Sequence, residues 1–437
     1  MARLFGTDGV RGVANGDLLT PELTLRLAVA AAGEFGGRTA VIGRDTRPSG
    51  SMLAAAAAAG FAAAGCDVLL LGVVPTPTVA HACATGAAEL GLMISASHNP
   101  MPDNGLKLFA AGGTKLTDAA EDAIEAAMGR PPIVRTGVAV GVIGPAPDDL
   151  LRAYEEHLLA TLEAPLAGLK VVVDCAQGAA SQVAPEVYRR AGAEVVAIYA
   201  DGDGAHINDG CGATHLQALQ AVVVEHGAAL GLAHDGDADR CLAVDATGAI
   251  VDGDKILALS ALGLQARGRL AHDTVVATVM SNLGFVHAMR DAGIAVVQTA
   301  VGDRYVLEAM RAGGFSLGGE QSGHLVLSEH ATTGDGLLTG LQVLGRMAAT
   351  GRSLAELAGI VQTLPQVLLN VTAGRERATA PEVLDAVADE EALLAGTGRV
   401  LLRPSGTEPV VRVMVEAPTQ RQAEQVADRL ASVVGRL

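Results

Sequence analysis

The chain has 437 residues, half of them hydrophobic, but only 2% aromatic and without tryptophan. At about 150 residues per domain this length predicts roughly three domains, or four if they are small, with cores built from Ala, Val and Leu. A net charge of -17 excludes a broad basic face for nucleic acid or an anionic membrane, and leaves an anionic small substrate possible only where cations are concentrated locally.

The opening Met1 to Gly9 has no apolar signal core. A short strand Ala40 to Ile42, a loop Gly43 to Gly50, a helix Ser51 to Ala64 and a strand Cys66 to Leu71 follow. Ser51 to Pro75 is alanine-rich and broken by Gly60, Gly65 and Gly72, which predicts a packed helix followed by a strand and no membrane span. The strand, helix, Ala-Gly, strand pattern returns twice. Its second copy is Lys170 to Asp174, Ala184 to Arg190 and Glu194 to Tyr199; its third is Thr274 to Val279, Phe285 to Asp291 and Ile294 to Thr299. Units so widely spaced are not solenoid repeats; they predict three similar α/β domains in tandem, with 54 glycines allowing close helix-on-sheet packing. Gly129 to Pro147, Thr247-Gly248 and Leu364-Pro365 mark boundaries, giving expected domains 1–147, 148–248, 249–365 and a small α+β tail, 366–437. Five widely spaced cysteines without a Cys-x-x-Cys pair predict reduced core thiols and a cytoplasmic location.

Four loops carry chemistry. In Gly91 to Pro100 a buried strand ends in Ser95-Ala-Ser-His-Asn-Pro, which sets a serine at the strand's end, with Lys107 reached through the turn at Asp103 to Gly105. Any connecting loop uses Ser, Asn and Pro, so this pattern alone does not decide. His234 to Arg240 holds Asp235, Asp237 and Asp239 at alternate positions after the strand Leu230 to Ala233. Alternate carboxylates can converge on one divalent ion, and the EF-hand is excluded because its glycine position is Arg240 and its twelfth is Ala246. Three oxygens beside an arginine suit Mg2+ next to a phosphate. Gly318 to His324, between strands Gly314 to Leu317 and His324 to Leu327, offers Glu320 and Ser322 to sugar hydroxyls and His324 for proton transfer; the same residues suit a plain hairpin. Arg403 to Arg412 joins two tail strands, and Ser405, Gly406 and Thr407 between the two arginines have the make-up of a phosphate nest. A surface hairpin is the alternative, and the Gly-Lys-Ser/Thr of a nucleotide P-loop is absent.

With these four loops in this order, the chain resembles the α-D-phosphohexomutase superfamily over essentially its whole length. Arg3 to Gly12, Ile94 to Pro100 and Gly319 to His324 are similar to its bacterial phosphoglucosamine mutase branch, whereas phosphomannomutase/phosphoglucomutase relatives, the alternative, differ at the opening. The resemblance implies four domains around a central cleft: three similar mixed α/β domains and a small two-layer C-terminal one. It implies a phosphoserine at Ser97, and Mg2+ held by Asp235, Asp237, Asp239 and phosphorylated Ser97. Glu320 and Ser322 match the sugar-reading loop, and Arg403, Ser405, Gly406, Thr407 and Arg412 the phosphate-binding loop. Arg11, His98, Lys107, Arg240 and His324 match positions around the transferring phosphoryl group. The implied reaction interconverts glucosamine 6-phosphate and glucosamine 1-phosphate, with hexosamine or glucose 1,6-bisphosphate as intermediate and activator, and supplies amino-sugar precursors for UDP-N-acetylglucosamine and cell-wall synthesis. Its implied partners are sugar phosphates, with no nucleic acid and no membrane; monomer and homodimer are both compatible with the sequence. A metal-dependent sugar transferase would predict nucleotide dependence and no phosphoprotein, and a non-catalytic sensor would bind the same ligand without turnover.

Overall fold

The computed structural model describes residues 3–6, 8–404 and 409–435. Backbone contacts divide the chain into two compact units, one comprising residues up to 280 with 294–360, the other 281–293 with the residues from 361 onward.

The first unit carries three sheets. The first orders its strands Val10–Val13, Asp103–Ala110, Leu90–Ile94, Thr39–Arg44, Asp67–Val73 and Ile143–Pro145, with Thr114–Lys115 paired to Asp103–Ala110. Leu90–Ile94, Thr39–Arg44, Asp67–Val73 and Ile143–Pro145 run parallel, and Val10–Val13 and Asp103–Ala110 supply the antiparallel pairings. The second sheet runs Ile250–Val251, Cys241–Asp245, Leu230–His234, Lys170–Asp174, Glu194–Ile198; the third runs Ala295–Thr299, Thr274–Thr278, Leu317–Gly319, Leu325–Leu327. Each is a parallel core with an antiparallel edge, as expected where helices cross between neighbouring strands. Close packing is visible at Gly231, where a Cβ would stand 2.6 Å from Val223 Cγ2 and 2.7 Å from Leu219 Cδ1 on the helix Gln217–Glu225. Val, Leu and Ala dominate the buried set, and all five cysteines are free and buried.

The second unit holds an antiparallel sheet, Gln366–Thr372, Val410–Glu416, Arg399–Pro404, covered by the helices Pro381–Leu394 and Gln420–Val434. The helix Leu283–Asp291 also belongs to it. Asn282 exchanges hydrogen bonds with Leu364, and buried Glu416 accepts from Leu283 N at 2.9 Å and Arg399 Nε at 2.8 Å. The sequence pattern places this helix as the third crossover, and its grouping with residues from the end of the chain is not legible there.

Two local differences stand out. Ile143–Pro145, within the expected linker Gly129 to Pro147, is an edge strand parallel to Asp67–Val73, anchored where Val142 N donates to Asp67 Oδ1 at 2.8 Å. Gly314, expected to open a strand, is instead the left-handed cap (φ 64°) of the helix Asp303–Gly313. Among the described residues, no helix is long and apolar enough to cross a membrane.

Candidate active site

The strand Leu90–Ile94 lies in the middle of the first sheet, and its C-terminal end delivers the serine loop. Ser97 sits there at φ 55°, a left-handed conformation unfavourable for a residue with a Cβ. Backbone strain of this kind persists only where the surroundings fix it. Ser95 is one such constraint: its Oγ donates to Asp45 Oδ2 at 2.6 Å and accepts from Ser97 N at 2.9 Å. The serine at the strand's end is not open to solvent. Ser97 is only 1% exposed, because the loop after the strand Leu230–His234 packs onto it; a Cβ on Gly236 would come 2.6 Å from Ser97 O.

Ser97 Oγ donates to Asp235 Oδ2 at 2.6 Å and lies 3.3 Å from His98 Nδ1. Asp235, Asp237 and Asp239 are buried and offer oxygens that all lie within 4.8 Å of one another. Burial first, then Asp239 and Asp237, push the Asp235 carboxyl up to about 7. Burial would also raise Asp239, but Lys107, His324 and Arg240 outweigh it and hold this carboxyl below its usual range. Asp237 Oδ1 and Asp239 Oδ1 are buried without a hydrogen-bond partner. Clustered, uncompensated carboxylate oxygens of this kind fit a hard divalent cation such as Mg2+.

The cations expected from the sequence converge here. Lys107 Nζ, 3% exposed, contacts Asp237 Oδ2 at 2.8 Å, Asp8 Oδ2 at 3.0 Å and Asp239 Oδ2 at 3.2 Å. Burial opposes its charge, but the three carboxylates keep its pKa well above the ordinary lysine value. Arg240 Nε stands 3.7 Å from Asp235 Oδ2 and 3.8 Å from Asp239 Oδ1. Arg11 donates to Ala96 O at 3.2 Å and pairs with Asp8. His98 is held down at about 4 by burial and by Arg240 and Arg11, and is therefore a neutral imidazole at pH 7 in the unphosphorylated chain. His324 is 3% exposed with neither ring nitrogen hydrogen-bonded, its Nε2 3.5 Å from Asp303 Oδ2 and 4.0 Å from Asp239 Oδ2. Glu320 accepts from Gly302 N at 3.0 Å, and Ser322 Oγ lies 3.5 Å from Glu320 Oε2.

Three acidic or basic residues that sequence reading missed complete this cluster. Asp8 bridges Arg11, Lys107 and Lys115, and Lys115 in turn pairs with Asp303 beside His324. Asp8 and Asp303 are both held below the usual carboxylate range: burial acts against them, and the neighbouring lysines outweigh it. Thr76, at the start of the helix Thr76–Ala84, donates to Asp237 Oδ2 at 2.6 Å. Nothing local at Asp8-Gly9 or Thr76-Pro77 encodes these long-range pairings.

In the second unit, Arg403 and Arg412 are register partners on adjacent antiparallel strands, so both side chains leave the same face of that sheet. Like charges directly opposed are unfavourable until an anion joins them. Ser405, Gly406 and Thr407 lie outside the described residues.

Comparison with known proteins places this geometry in context. Models of the phosphoglucomutase/phosphomannomutase family match in series: α/β/α domain I over residues 2–131, domain II over 152–248, domain III over 252–364 and the C-terminal domain over 368–433. The chain belongs to the phosphoglucomutase/phosphomannomutase family. It is 63% identical to the phosphoglucosamine mutase of Frankia casuarinae, covering 99% of this chain and 98% of that one, and 61% identical to that of Rhodococcus erythropolis over 100% of both. A solved phosphoglucomutase/phosphomannomutase family protein from Burkholderia thailandensis superposes with a TM-score of 0.82 at 25% identity, over 99% of this chain and 97% of that one. The architecture is accordingly the family's: three α/β domains followed by a small C-terminal domain.

The relay through Ser95 makes its own prediction. Ser95→Ala removes one donor to Asp45, which keeps Arg47, and the acceptor for the buried Ser97 N–H, whose loss costs about 1–3 kcal/mol. Stability should fall measurably in thermal denaturation, and turnover should fall about tenfold. Unchanged stability and unchanged rate would show the relay to be incidental.

Proposed function

We propose that this chain is a phosphoglucosamine mutase, an isomerase that interconverts glucosamine 6-phosphate and glucosamine 1-phosphate through a phosphoserine at Ser97. The observation that carries the reading is a single one: Ser97 Oγ is held 2.6 Å from one of three mutually close buried carboxylates, with Lys107, Arg240 and Arg11 around them. An ordinary serine hydroxyl needs none of this. A standing phosphoserine is a phosphoryl donor, and such transfer depends on positioning and on charge compensation at the moving oxygens.

In the forward direction the bond from phosphorus to Ser97 Oγ breaks as a bond to O1 of the sugar forms, giving the 1,6-bisphosphate. His324, whose ring nitrogens are free of hydrogen bonds, takes the proton leaving O1, and Arg11, Lys107 and Arg240 offset charge on the phosphoryl oxygens. Asp235, Asp237 and Asp239 would hold Mg2+, which when bound neutralises charge on the transferring group and on the departing serine oxygen. The bisphosphate then presents its other end, and Ser97 Oγ reclaims the 6-phosphoryl to release glucosamine 1-phosphate. Glu320 and Ser322 read the sugar hydroxyls, and the turn bracketed by Arg403 and Arg412 binds phosphate. Free hexosamine or glucose 1,6-bisphosphate activates by rephosphorylating enzyme that has lost its phosphate. The product would feed synthesis of UDP-N-acetylglucosamine and the cell wall, in the cytoplasm.

Intact-protein mass spectrometry of the purified chain tests the carrier directly. A gain of about 80 Da that maps to Ser97 is expected. A panel of glucosamine, glucose and mannose 6-phosphates on the same preparation tests the substrate, with glucosamine expected to give the highest kcat/KM. A chain lacking covalent phosphate, or one preferring mannose phosphate, overturns the corresponding half of the reading.

A further inference from the structure

Arg47 is wholly buried, 0% exposed, close to the candidate site but touching none of the reacting groups. A guanidinium has five N–H donors and no acceptor. Here each donor has a partner: Nε bonds Asp45 Oδ2 at 2.9 Å, Nη1 bonds Pro100 O and Asp103 O, and Nη2 bonds Ser97 O at 3.2 Å and Asn99 O at 2.6 Å. Four of these five acceptors are main-chain carbonyls of the serine loop. Asn208, from the domain of the second sheet, repeats the grip from the other side, its Nδ2 donating to the same Ser97 O at 2.9 Å and Asn99 O at 3.1 Å. Asp45, which holds Arg47, also accepts from Ser95 Oγ, whose oxygen in turn receives Ser97 N. The left-handed Ser97 is thus gripped at its own N–H and its own carbonyl by one connected set of side chains.

We infer that Arg47 is a positioning residue for phosphoryl transfer: by holding the carbonyls of Ser97, Asn99, Pro100 and Asp103 it keeps Ser97 in its strained conformation with Oγ aimed at the carboxylate cluster, and Asn208 shares that task. This rests on Ser97 being the phosphoryl carrier. Burying a guanidinium this completely costs free energy unless all its donors are used, and a loop held merely in place would not need two side chains from different domains on one carbonyl. Lysine cannot substitute, since it has three donors on a single atom.

Two variants test the inference. In Arg47→Lys, kcat is expected to fall about 100-fold, because a displacement near 1 Å of the reacting oxygen is enough for a loss of that size. KM for glucosamine 6-phosphate should stay within about threefold, as the sugar is not bound through this loop's carbonyls. Asn208→Ala removes only the second grip and should lower kcat about tenfold with the same unchanged KM; it decides the matter if Arg47→Lys does not fold. A folded variant of either kind that keeps its kcat, or that loses activity through KM, overturns the positioning role. The wild-type chain is run alongside for covalent phosphate at Ser97, so failure of the carrier reading, seen as unphosphorylated wild type, is told apart from failure of this inference, seen as phosphorylated wild type with unaffected variants.

Discussion

Ser97→Ala is expected to leave the protein folded and to reduce turnover by at least about 10⁴-fold, since the proposed reaction has no other phosphoryl carrier. The fold should tolerate the change. Alanine retains the Cβ that already sits at φ 55°, so the backbone cost is unaltered, and the grip on the Ser97 N–H and carbonyl comes from Ser95, Arg47 and Asn208. What is lost is the Oγ itself and its bond to Asp235. Deprived of that donor, Asp235 faces Asp237 and Asp239 with one compensation fewer, and metal binding offers the remaining relief. The variant should therefore still bind Mg2+ and sugar phosphate while carrying no covalent phosphate. Calorimetry with glucosamine 6-phosphate, together with intact mass, reads this directly. A folded Ser97→Ala protein that turns over at the wild-type rate would remove the covalent mechanism altogether; one that loses binding as well as turnover would recast the serine as a substrate ligand.

Much of this arrangement is legible in the sequence, for identifiable reasons. The Val-rich run Lys170–Asp174 falls where its composition puts it, because a strand buried on both faces must be apolar without interruption. The three aspartates are visible because their partners are each other at alternate positions of one loop, so proximity is encoded locally. Asp8, Lys115 and Asp303 are different. Lys115 meets Asp8 across 107 residues and Asp303 across 188, and nothing local marks a surface-type residue as destined for burial. Arg47 is illegible for the same reason: Gly43 to Gly50 reads as a polar loop, yet its arginine is among the largest fully buried side chains. The edge strand Ile143–Pro145 was hidden by its glycine and proline, which signal a linker unless the neighbouring edge at Asp67–Val73 is known to need a partner. The helix Leu283–Asp291 has the right period and the right neighbours in sequence, but which unit it joins is decided by Asn282 and Glu416, 134 residues apart.

Asp237→Asn should be the most informative change among the carboxylates. Its Oδ2 accepts from Thr76 Oγ1 at 2.6 Å and Lys107 Nζ at 2.8 Å, whereas its Oδ1 is buried and unpartnered. Asparagine keeps the shape but has only one acceptor oxygen, so the two sides of the carboxylate cannot both be satisfied. If the amide oxygen turns to Thr76 and Lys107, an NH2 group is pointed at the position a cation would take; if it turns to the cation, the NH2 group meets the Lys107 ammonium. Lys107 retains Asp239 and Asp8 as partners, which argues that its own charge survives and that the loss falls on the metal. The dissociation constant for Mg2+ is expected to rise by about 100-fold, and kcat at ordinary Mg2+ to fall by about 10²–10³. Raising Mg2+ should recover a substantial part of the rate, which distinguishes weakened binding from misplaced Lys107. Titration calorimetry on the variant and on wild type, paired with rates over a wide Mg2+ range, separates the outcomes. Unchanged Mg2+ affinity would leave the three aspartates as a charge partner for Lys107 and Arg240 alone, and a lost rate that no concentration of Mg2+ restores would move the role of Asp237 from the metal to the lysine.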